Sequence, residues 1–366
     1  MPHNENICKK VVKVMKIRVA LLDSDINYLE RIAMVFTNKY MDKLEIYSFS
    51  DKDIAVRSLE TKKIDVFIAN QKFDIKDDEI PEKCSFAYLT SENGIEEIRG
   101  VASICKFQKV DLIYKQILNL YSNSASNIVL RKKNIKSNII FFTSFSGGTG
   151  TTSIAVATSK CLARKGEKVI YVNLEKNGDP DIFFNGEGQF TLGDVIYALK
   201  SKKQNLTIKI ESSLKKSVEG VEYLAAPKIA LDFLELQISE IKTLLNEIST
   251  SFDYDYIIVD CRSEYDELSK MVWNMADKVI VVSDGSEISN SKTERMSHSI
   301  EVLENDEDSY SFAKAGILYN KFSNKVCKII TGIKLQELGG IPKIERATST
   351  QIVEQISAQT VIQSLI

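Results

Sequence analysis

Histidine and tryptophan are nearly absent from this chain of 366 residues, which contains two of the first and one of the second. Its six cysteines are scattered without the spacing of a zinc site or a disulfide framework, so no Cys/His metal centre is expected. No segment reaches the roughly 18 consecutive apolar residues that span a bilayer, and the first 14 residues lack the apolar core of a signal peptide. The formal net charge of -2 gives no overall bias toward nucleic acid. We therefore expect a cytoplasmic protein with reduced thiols, no nucleic-acid partner and no direct membrane insertion.

Short apolar segments alternate with amphipathic segments along both halves of the chain. The length favours two domains, and this alternation is typical of parallel sheets covered by helices. We predict two doubly wound α/β domains, residues 16–122 and 137–366, with a linker at 123–136 and an N-terminal extension at 1–15. The predicted strands are 16–22, 44–49, 64–69, 86–89, 102–106, 139–143, 168–173, 221–225, 256–260, 278–282 and 316–319, and the clearest predicted helices are 26–39, 51–61, 110–121, 154–164, 231–248, 286–303 and 353–366.

The strongest local signal is a glycine-rich loop between an apolar strand and a helix. Residues 146–153 read Ser-Gly-Gly-Thr-Gly-Thr-Thr-Ser. Because glycine has no Cβ, such a loop can turn its backbone N–H groups toward an anion, and the helix N-terminus adds partial positive charge. The pattern predicts a nucleotide phosphate site with Mg²⁺ on Thr152, although Thr151 stands where phosphate loops have a lysine. The predicted binding residues are Gly147, Gly148, Thr149, Gly150, Thr151, Thr152 and Ser153.

Polar residues follow later apolar strands, at the predicted carboxyl edge of the same sheet. Glu175 follows one strand, Asp260 ends another, and Asn320 follows a third. Asp260 is expected to hold a magnesium-bound water, and the Asn320 amide offers a donor and an acceptor to an adenine edge. The Gly-Ile-Pro sequence that ends at Pro342 is predicted to start a loop on this edge. Each residue alone would be an ordinary turn or cap residue, but their order together favours a phosphate site.

A dinucleotide site is the alternative interpretation of the same loop. Residues 148–153 approximate Gly-x-Gly-x-x-Gly with Ser153 in the last position, and Glu175 lies where an acid would bind a ribose. The strand that ends at Asp260 and the Asn320–Lys321 pair have no role in that scheme. A Rossmann-type protein is therefore the minor alternative.

The second half resembles the MinD/ParA ATPases. Residues 146–153 are similar to their deviant Walker A loop, Lys-Gly-Gly-x-Gly-Lys-Thr-Thr, Asp260 matches the Walker B acid, and Glu175 lies among the switch acids. The resemblance implies a P-loop fold, ATP and Mg²⁺ as ligands, and a homodimer. It also implies adenine contacts from Asn320 and Lys321, with Pro342 on the same edge of the site.

Both lysines of the family's loop are missing from this chain. Ser146 and Thr151 occupy their positions. Fixed cations offset the charge that develops on a transferring phosphoryl group, so ATP binding is expected to survive better than hydrolysis. Glu175 is the candidate catalytic acid, and Arg262 is the candidate substitute cation, together with Lys176.

The first half resembles a response-regulator receiver domain, which has a flavodoxin-like fold. Asp23 and Lys106 lie at the positions of a receiver acid and lysine, but Asn70 stands at the phosphoacceptor position. An amide cannot form an acyl phosphate. A degenerate receiver fused to a MinD-like domain resembles the TadZ/CpaE family. That resemblance implies a cytoplasmic, pole-localised factor that dimerises and recruits other components of Tad-type (Flp) pili.

Four functions compete at this point, and the missing residues separate them. The loss of both loop lysines favours an ATP-binding scaffold factor with weak or absent hydrolysis. An actively cycling ATPase is the main alternative and a dinucleotide-binding protein the minor one. Asn70 argues against a phosphorelay regulator.

Overall fold

The computed structural model describes residues 16–123, 137–201, 205–264, 266–303 and 310–365. The predicted N-terminal extension 1–15 lies outside these residues, as does the predicted linker beyond residue 123. Contacts divide the chain into two units. The described part of the first unit is 16–123 with 205–212, and that of the second is 137–201, 213–264, 266–303 and 310–365.

Up to residue 123, the five predicted strands and three predicted helices are present, together with a two-residue strand at 97–98 that was not predicted. They are β1 (Ile17–Leu22), α1 (Ile26–Lys39), β2 (Leu44–Phe49), α2 (Lys52–Thr61), β3 (Val66–Asn70), a 3-10 turn (Asp77–Glu79), β4 (Ser85–Thr90), β5 (Glu97–Ile98), β6 (Val101–Cys105) and α3 (Val110–Asn123). The sheet order is β2-β1-β3-β4-β6-β5. Every neighbouring pair of strands is parallel except β5 and β6.

Alternation along β1 shows how this sheet buries both faces. Val19 and Leu21 join the hydrophobic cluster under α1 and α3, whereas Ala20 and Leu22 join the cluster under α2. Successive side chains of a strand point to opposite faces, so an uninterrupted apolar strand can have helices on both sides.

The elements from residue 137 onward form a second, larger α/β series. They are β7 (Asn138–Thr143), α4 (Thr151–Arg164), β8 (Val169–Asn173), α5 (Asp181–Phe184), α6 (Leu192–Lys200), α7 (Leu206–Ser213), β9 (Leu214–Lys216), β10 (Glu222–Leu224), α8 (Leu231–Leu234), α9 (Ile238–Ser251), β11 (Tyr256–Asp260), α10 (Glu267–Met275), β12 (Lys278–Ser283), α11 (Glu287–Leu303), a 3-10 turn (Phe312–Lys314), β13 (Ala315–Phe322), β14 (Gln336–Pro342), α12 (Ser349–Ser357) and α13 (Thr360–Ser364).

The second sheet places the glycine loop at its centre. Its order is β14-β13-β12-β7-β11-β8-β10-β9, and every neighbouring pair is parallel except β9 and β10. Strand β7 lies between β12 and β11, so the loop after β7 opens at the carboxyl edge where ligands of such sheets bind. The predicted class, two α/β domains with mainly parallel sheets, is confirmed.

Helix α7 belongs to the first unit although it follows residue 200 in the chain. Ile208 is buried in the hydrophobic cluster that α1 and α3 form. The Tyr114 hydroxyl donates a hydrogen bond to Glu211 Oε1 over 2.9 Å, and Lys43 forms an ion pair with the same carboxylate. The first unit is therefore completed by a segment that sequence analysis placed within residues 137–366.

Three predicted elements of the second unit are wrong in detail. The helix predicted at 231–248 is two helices, α8 and α9, because Gln237 caps α9 through a reciprocal pair of hydrogen bonds with Glu240. The helix predicted at 353–366 begins earlier, at Ser349, and is divided into α12 and α13. The predicted loop at Gly340–Pro342 is the end of β14.

Candidate functional site

The glycine loop is held in shape by local hydrogen bonds and by two glycines with positive φ. Ser144 Oγ accepts from the Ser146 backbone N–H over 3.1 Å and donates to the Ser146 carbonyl over 2.8 Å. Gly148 and Gly150 have φ of +80° and +86°, a region that other residues enter at a cost. Gly150 is the N-cap of α4, so the loop leads directly into the helix N-terminus.

Asn320 and Lys321, at the end of β13, brace this loop from a neighbouring part of the sheet. Asn320 is buried and its Nδ2 donates to the Thr149 carbonyl over 2.7 Å. Lys321 Nζ donates to the Gly148 carbonyl over 2.8 Å. The pair predicted to contact adenine thus fixes the backbone of the glycine loop, a role that the sequence did not indicate.

Hydroxyl groups occupy the two lysine positions of the loop. Thr151 Oγ1 lies 3.1 Å from Thr149 Oγ1, within hydrogen-bond distance. Arg262, the candidate substitute cation, has a side chain that is 59% exposed and lies 3.5 Å from Glu264. Lys176 is exposed after β8. At the two positions where the family has lysine ammonium groups, this loop therefore has only the hydroxyls of Ser146 and Thr151.

Asp260, at the carboxyl end of β11, is completely buried. Its Oδ2 accepts a hydrogen bond from the Tyr171 hydroxyl over 2.6 Å, and among the described residues Oδ1 has no hydrogen-bond partner. Burial raises the pKa of Asp260 to about 7, the hydrogen bond from Tyr171 opposes that rise, and repulsion from Glu175 adds to it. Burial likewise raises the pKa of Tyr171 well above its usual value, so the phenol stays protonated and acts as the donor.

The end of β8 connects Glu175 to this acid. The Glu175 backbone N–H donates to Asn173 Oδ1 over 2.7 Å, and Asn173 Nδ2 donates to the Tyr171 hydroxyl over 3.3 Å. Pro342 lies exposed at the end of β14, the strand beside β13. Spacing alone could not reveal Tyr171, since its partner is 89 residues away in sequence; its one signal is a hydroxyl within an otherwise apolar strand.

The geometry fits a nucleotide phosphate group accompanied by Mg²⁺. Two positive-φ glycines and the N-terminus of α4 form an anion cradle, and a buried carboxylate oxygen near Thr152 lacks a partner within the described residues. No group of three or more His, Cys, Asp or Glu side chains that could hold a metal occurs among the described residues.

The receiver-like site of the first unit is closed by its own side chains. Asn70 Nδ2 donates to Asp23 Oδ2 over 2.9 Å, and Lys106 Nζ lies 3.4 Å from the same oxygen. Asp23, Asn70 and the Lys106 side chain are all buried. A neutral amide and an ammonium thus contact one oxygen of Asp23, and the Asp25 backbone N–H donates to the other over 2.9 Å.

Comparison with known proteins agrees with a receiver-like first half and a nucleotide-binding fold in the second half of the chain. Residues 15–122 match the family model described as TadZ-like, receiver domain, and residues 137–310 match one described as AAA domain. A ParA family ATPase from Chlorobium tepidum superposes with a TM-score of 0.50 at 18% identity, over 63% of this chain and 95% of that one.

Two curated relatives align with the chain in sequence. An uncharacterized ATP-binding protein of Methanocaldococcus jannaschii is 24% identical over 62% of this chain and 80% of its own length. The septum site-determining protein MinD of Thermotoga maritima is 27% identical over 52% of this chain and 66% of its own.

The second half is thus a P-loop domain with the ParA/MinD-like ATPase fold. Joined to a domain that matches the TadZ-like receiver model, it matches the architecture of the TadZ/CpaE proteins. No helix in the described part of the chain is long and apolar enough to cross a bilayer.

Proposed function

We propose that this protein is an ATP-binding, dimerising localisation and scaffold factor for the assembly of Tad-type (Flp) pili, with weak or absent ATP hydrolysis. The observation that carries the proposal is a braced phosphate loop whose two lysine positions hold Ser146 and Thr151. The match of residues 15–122 to the TadZ-like receiver model supports the pilus role. Action at a cell pole in the cytoplasm is part of the same proposal.

The residues that would hold Mg²⁺-ATP follow from the site. Backbone N–H groups from Gly147 to Thr152 would bind the phosphate oxygens, with the partial charge of the α4 N-terminus behind them. The Thr152 hydroxyl would be a direct metal ligand, and Asp260 Oδ1 would accept from a metal-bound water. Bound Mg²⁺ neutralises phosphate charge.

Hydrolysis requires fixed cations near the transferring phosphoryl group, and this loop lacks both of the lysines that supply them. Removing one preorganised donor to a transition-state charge costs roughly 10²- to 10³-fold in rate. Two lysine positions have no cation here, and Arg262 is largely exposed and beside Glu264. The bound nucleotide is then a lasting part of the structure rather than a substrate that is turned over.

Calorimetry on the full chain tests binding. We expect ATP to bind with an affinity that rises when Mg²⁺ is added, and NAD not to bind. Tight NAD binding without ATP binding would favour the dinucleotide alternative and contradict the proposal.

Restoring the two loop lysines is expected to raise turnover. Ser146→Lys with Thr151→Lys should increase the ATP hydrolysis rate at least about tenfold, because two cations return to the developing charge. The matched control, Ser146→Ala with Thr151→Ala, should leave turnover at its original low level. An unmodified protein that already hydrolyses ATP as fast as the lysine variant would favour the cycling ATPase.

The homodimer is expected to depend weakly on the γ-phosphate. The family resemblance implies that the lysine missing at Ser146 is the one that reaches the phosphates across the dimer. Without that contact, the interface must rest on about 1,000 Å² or more of complementary surface. Sedimentation should show a dimer with ATP and with ADP. A monomer in both states, or a dimer with ATP alone, would contradict this expectation.

A further inference from the structure

Tyr171 is a buried phenol within a strand otherwise formed by apolar residues and Asn173. Strands β8 and β11 are parallel neighbours in which Tyr171 lies opposite Ile258 and Asn173 opposite Asp260. The side chains of Tyr171 and Asp260 therefore share a face of the sheet, two register positions apart. The phenol is long enough to bridge that separation, which places its hydroxyl 2.6 Å from Asp260 Oδ2.

The position of this hydroxyl is fixed from two sides. The Tyr171 ring lies 5.1 Å from the ring of Phe184 in α5, and Phe184 in turn lies 5.0 Å from Tyr223. On its polar side the hydroxyl oxygen accepts from Asn173 Nδ2, so its own proton is directed to Asp260. Asn173 is itself held by the Glu175 backbone N–H. Three hydrogen bonds thus run from the segment after β8 to the acid at the end of β11.

We propose that Tyr171 is a positioning residue for Asp260, whose Oδ2 it holds so that Oδ1 faces the magnesium-bound water of the ATP site. This rests on the proposed function. The orientation is specific because one carboxylate oxygen has a donor and the other has none among the described residues. A carboxylate that lost the phenol would have no such preference between its two oxygens.

The test is a comparison of ATP affinity with Mg²⁺ and with EDTA, measured by calorimetry on the full-length protein. Tyr171→Phe keeps the ring against Phe184 and removes only the hydroxyl. We expect the gain in affinity from Mg²⁺ to fall about tenfold, the scale of a lost hydrogen bond to a charged group. Affinity in EDTA should not change, because it depends on the loop backbone.

Tyr223→Phe is the matched control. It removes a phenol from the same cluster, one that contacts Asp181 and the Gly186 backbone rather than Asp260. Its Mg²⁺ dependence should equal that of the natural protein. If Tyr171→Phe fails to fold, the same measurement is made on Asn173→Ala, which removes the hydrogen bond that Asn173 donates to the Tyr171 hydroxyl. A weakened Mg²⁺ dependence is again the expected result.

Two outcomes would overturn the proposal. One is an unchanged Mg²⁺ dependence in Tyr171→Phe or, if that variant does not fold, in Asn173→Ala. The other is an equal loss of affinity with Mg²⁺ and with EDTA, since that is what a merely structural role predicts. Failure of the proposed function looks different, because the natural protein would then not bind ATP under either condition.

Discussion

Replacing Gly150 with alanine should weaken ATP binding severely. A Cβ on Gly150 would lie 2.5 Å from Nδ2 of Asn320, and the backbone there has a φ of +86°. Asn320 cannot withdraw cheaply, because it is buried and donates to the Thr149 carbonyl. The loop must therefore shift where it enters α4, and we expect ATP affinity to fall at least about 100-fold, which corresponds to some 2.7 kcal/mol.

Gly147→Ala is the matched control for this substitution. Gly147 lies in the same loop, but an added Cβ would have no atom of the described residues within 4 Å, and its φ is not in the left-handed region. Calorimetry should show that this variant keeps ATP affinity within about tenfold of the natural protein, a change of 1.4 kcal/mol or less. Equal losses in the two variants would show that the contact with Asn320 is not what shapes the loop.

Replacing Asp260 with asparagine should stabilise the ligand-free second unit at pH 8 and have much less effect at pH 5. The pKa of Asp260 is raised from 3.8 to about 7 by burial. The folded state therefore holds the proton more tightly than the unfolded chain, and this stabilisation is complete below pH 3.8 and is lost as pH rises through 7. The pKa difference corresponds to at most about 4 kcal/mol at pH 8, a cost that a neutral amide does not incur.

Trp273 offers a direct measurement of this effect. It is the only tryptophan of the chain and is buried in α10 of the second unit, so its fluorescence reports the unfolding of that unit. Urea titrations in EDTA give the free energy of unfolding at pH 5 and at pH 8. The difference in this free energy between Asp260→Asn and the natural protein should be larger at pH 8 than at pH 5 by about 2 kcal/mol or more. Glu264→Gln, at a largely exposed acid, should keep the natural pH dependence. The same change in the free energy of unfolding between pH 5 and pH 8 in Asp260→Asn and in the natural protein would contradict the expectation.

Local signals predicted much of the fold. Helix 26–39 and strand 44–49 match the structure residue for residue, since the Asp25 cap and the apolar periodicity agree with the tertiary packing. The division of 231–248 was missed because apolar periodicity continues through the cap at Gln237. Strand β14 was missed because its two glycines and a proline favour a loop; pairing with β13, which includes register shifts, makes it a strand.

The candidate site was predictable where it is continuous in sequence. The loop from Gly147 to Ser153 is predicted by a strand, a turn and a helix in that order, and Asp260 is predicted as the acid that ends a later apolar strand. Contacts between distant segments were not predictable. The bonds from Tyr171 to Asp260 and from Lys321 to the Gly148 carbonyl depend on strand order and register, which no local pattern specifies.

Helix α7 determines how far the two halves can be treated as interchangeable modules. Among the described residues, 137–201 lie in the second unit, 205–212 lie in the first, and the chain passes back to the second unit at 212–213. A receiver-like fragment ending before residue 137 would lack Ile208 from its core and the acceptor of Tyr114. A foreign receiver domain grafted onto residues 137–366 would have to provide a matching apolar surface and a donor for Glu211. Recombination at the linker alone would therefore join incompatible parts, and the two halves are expected to be inherited as a pair.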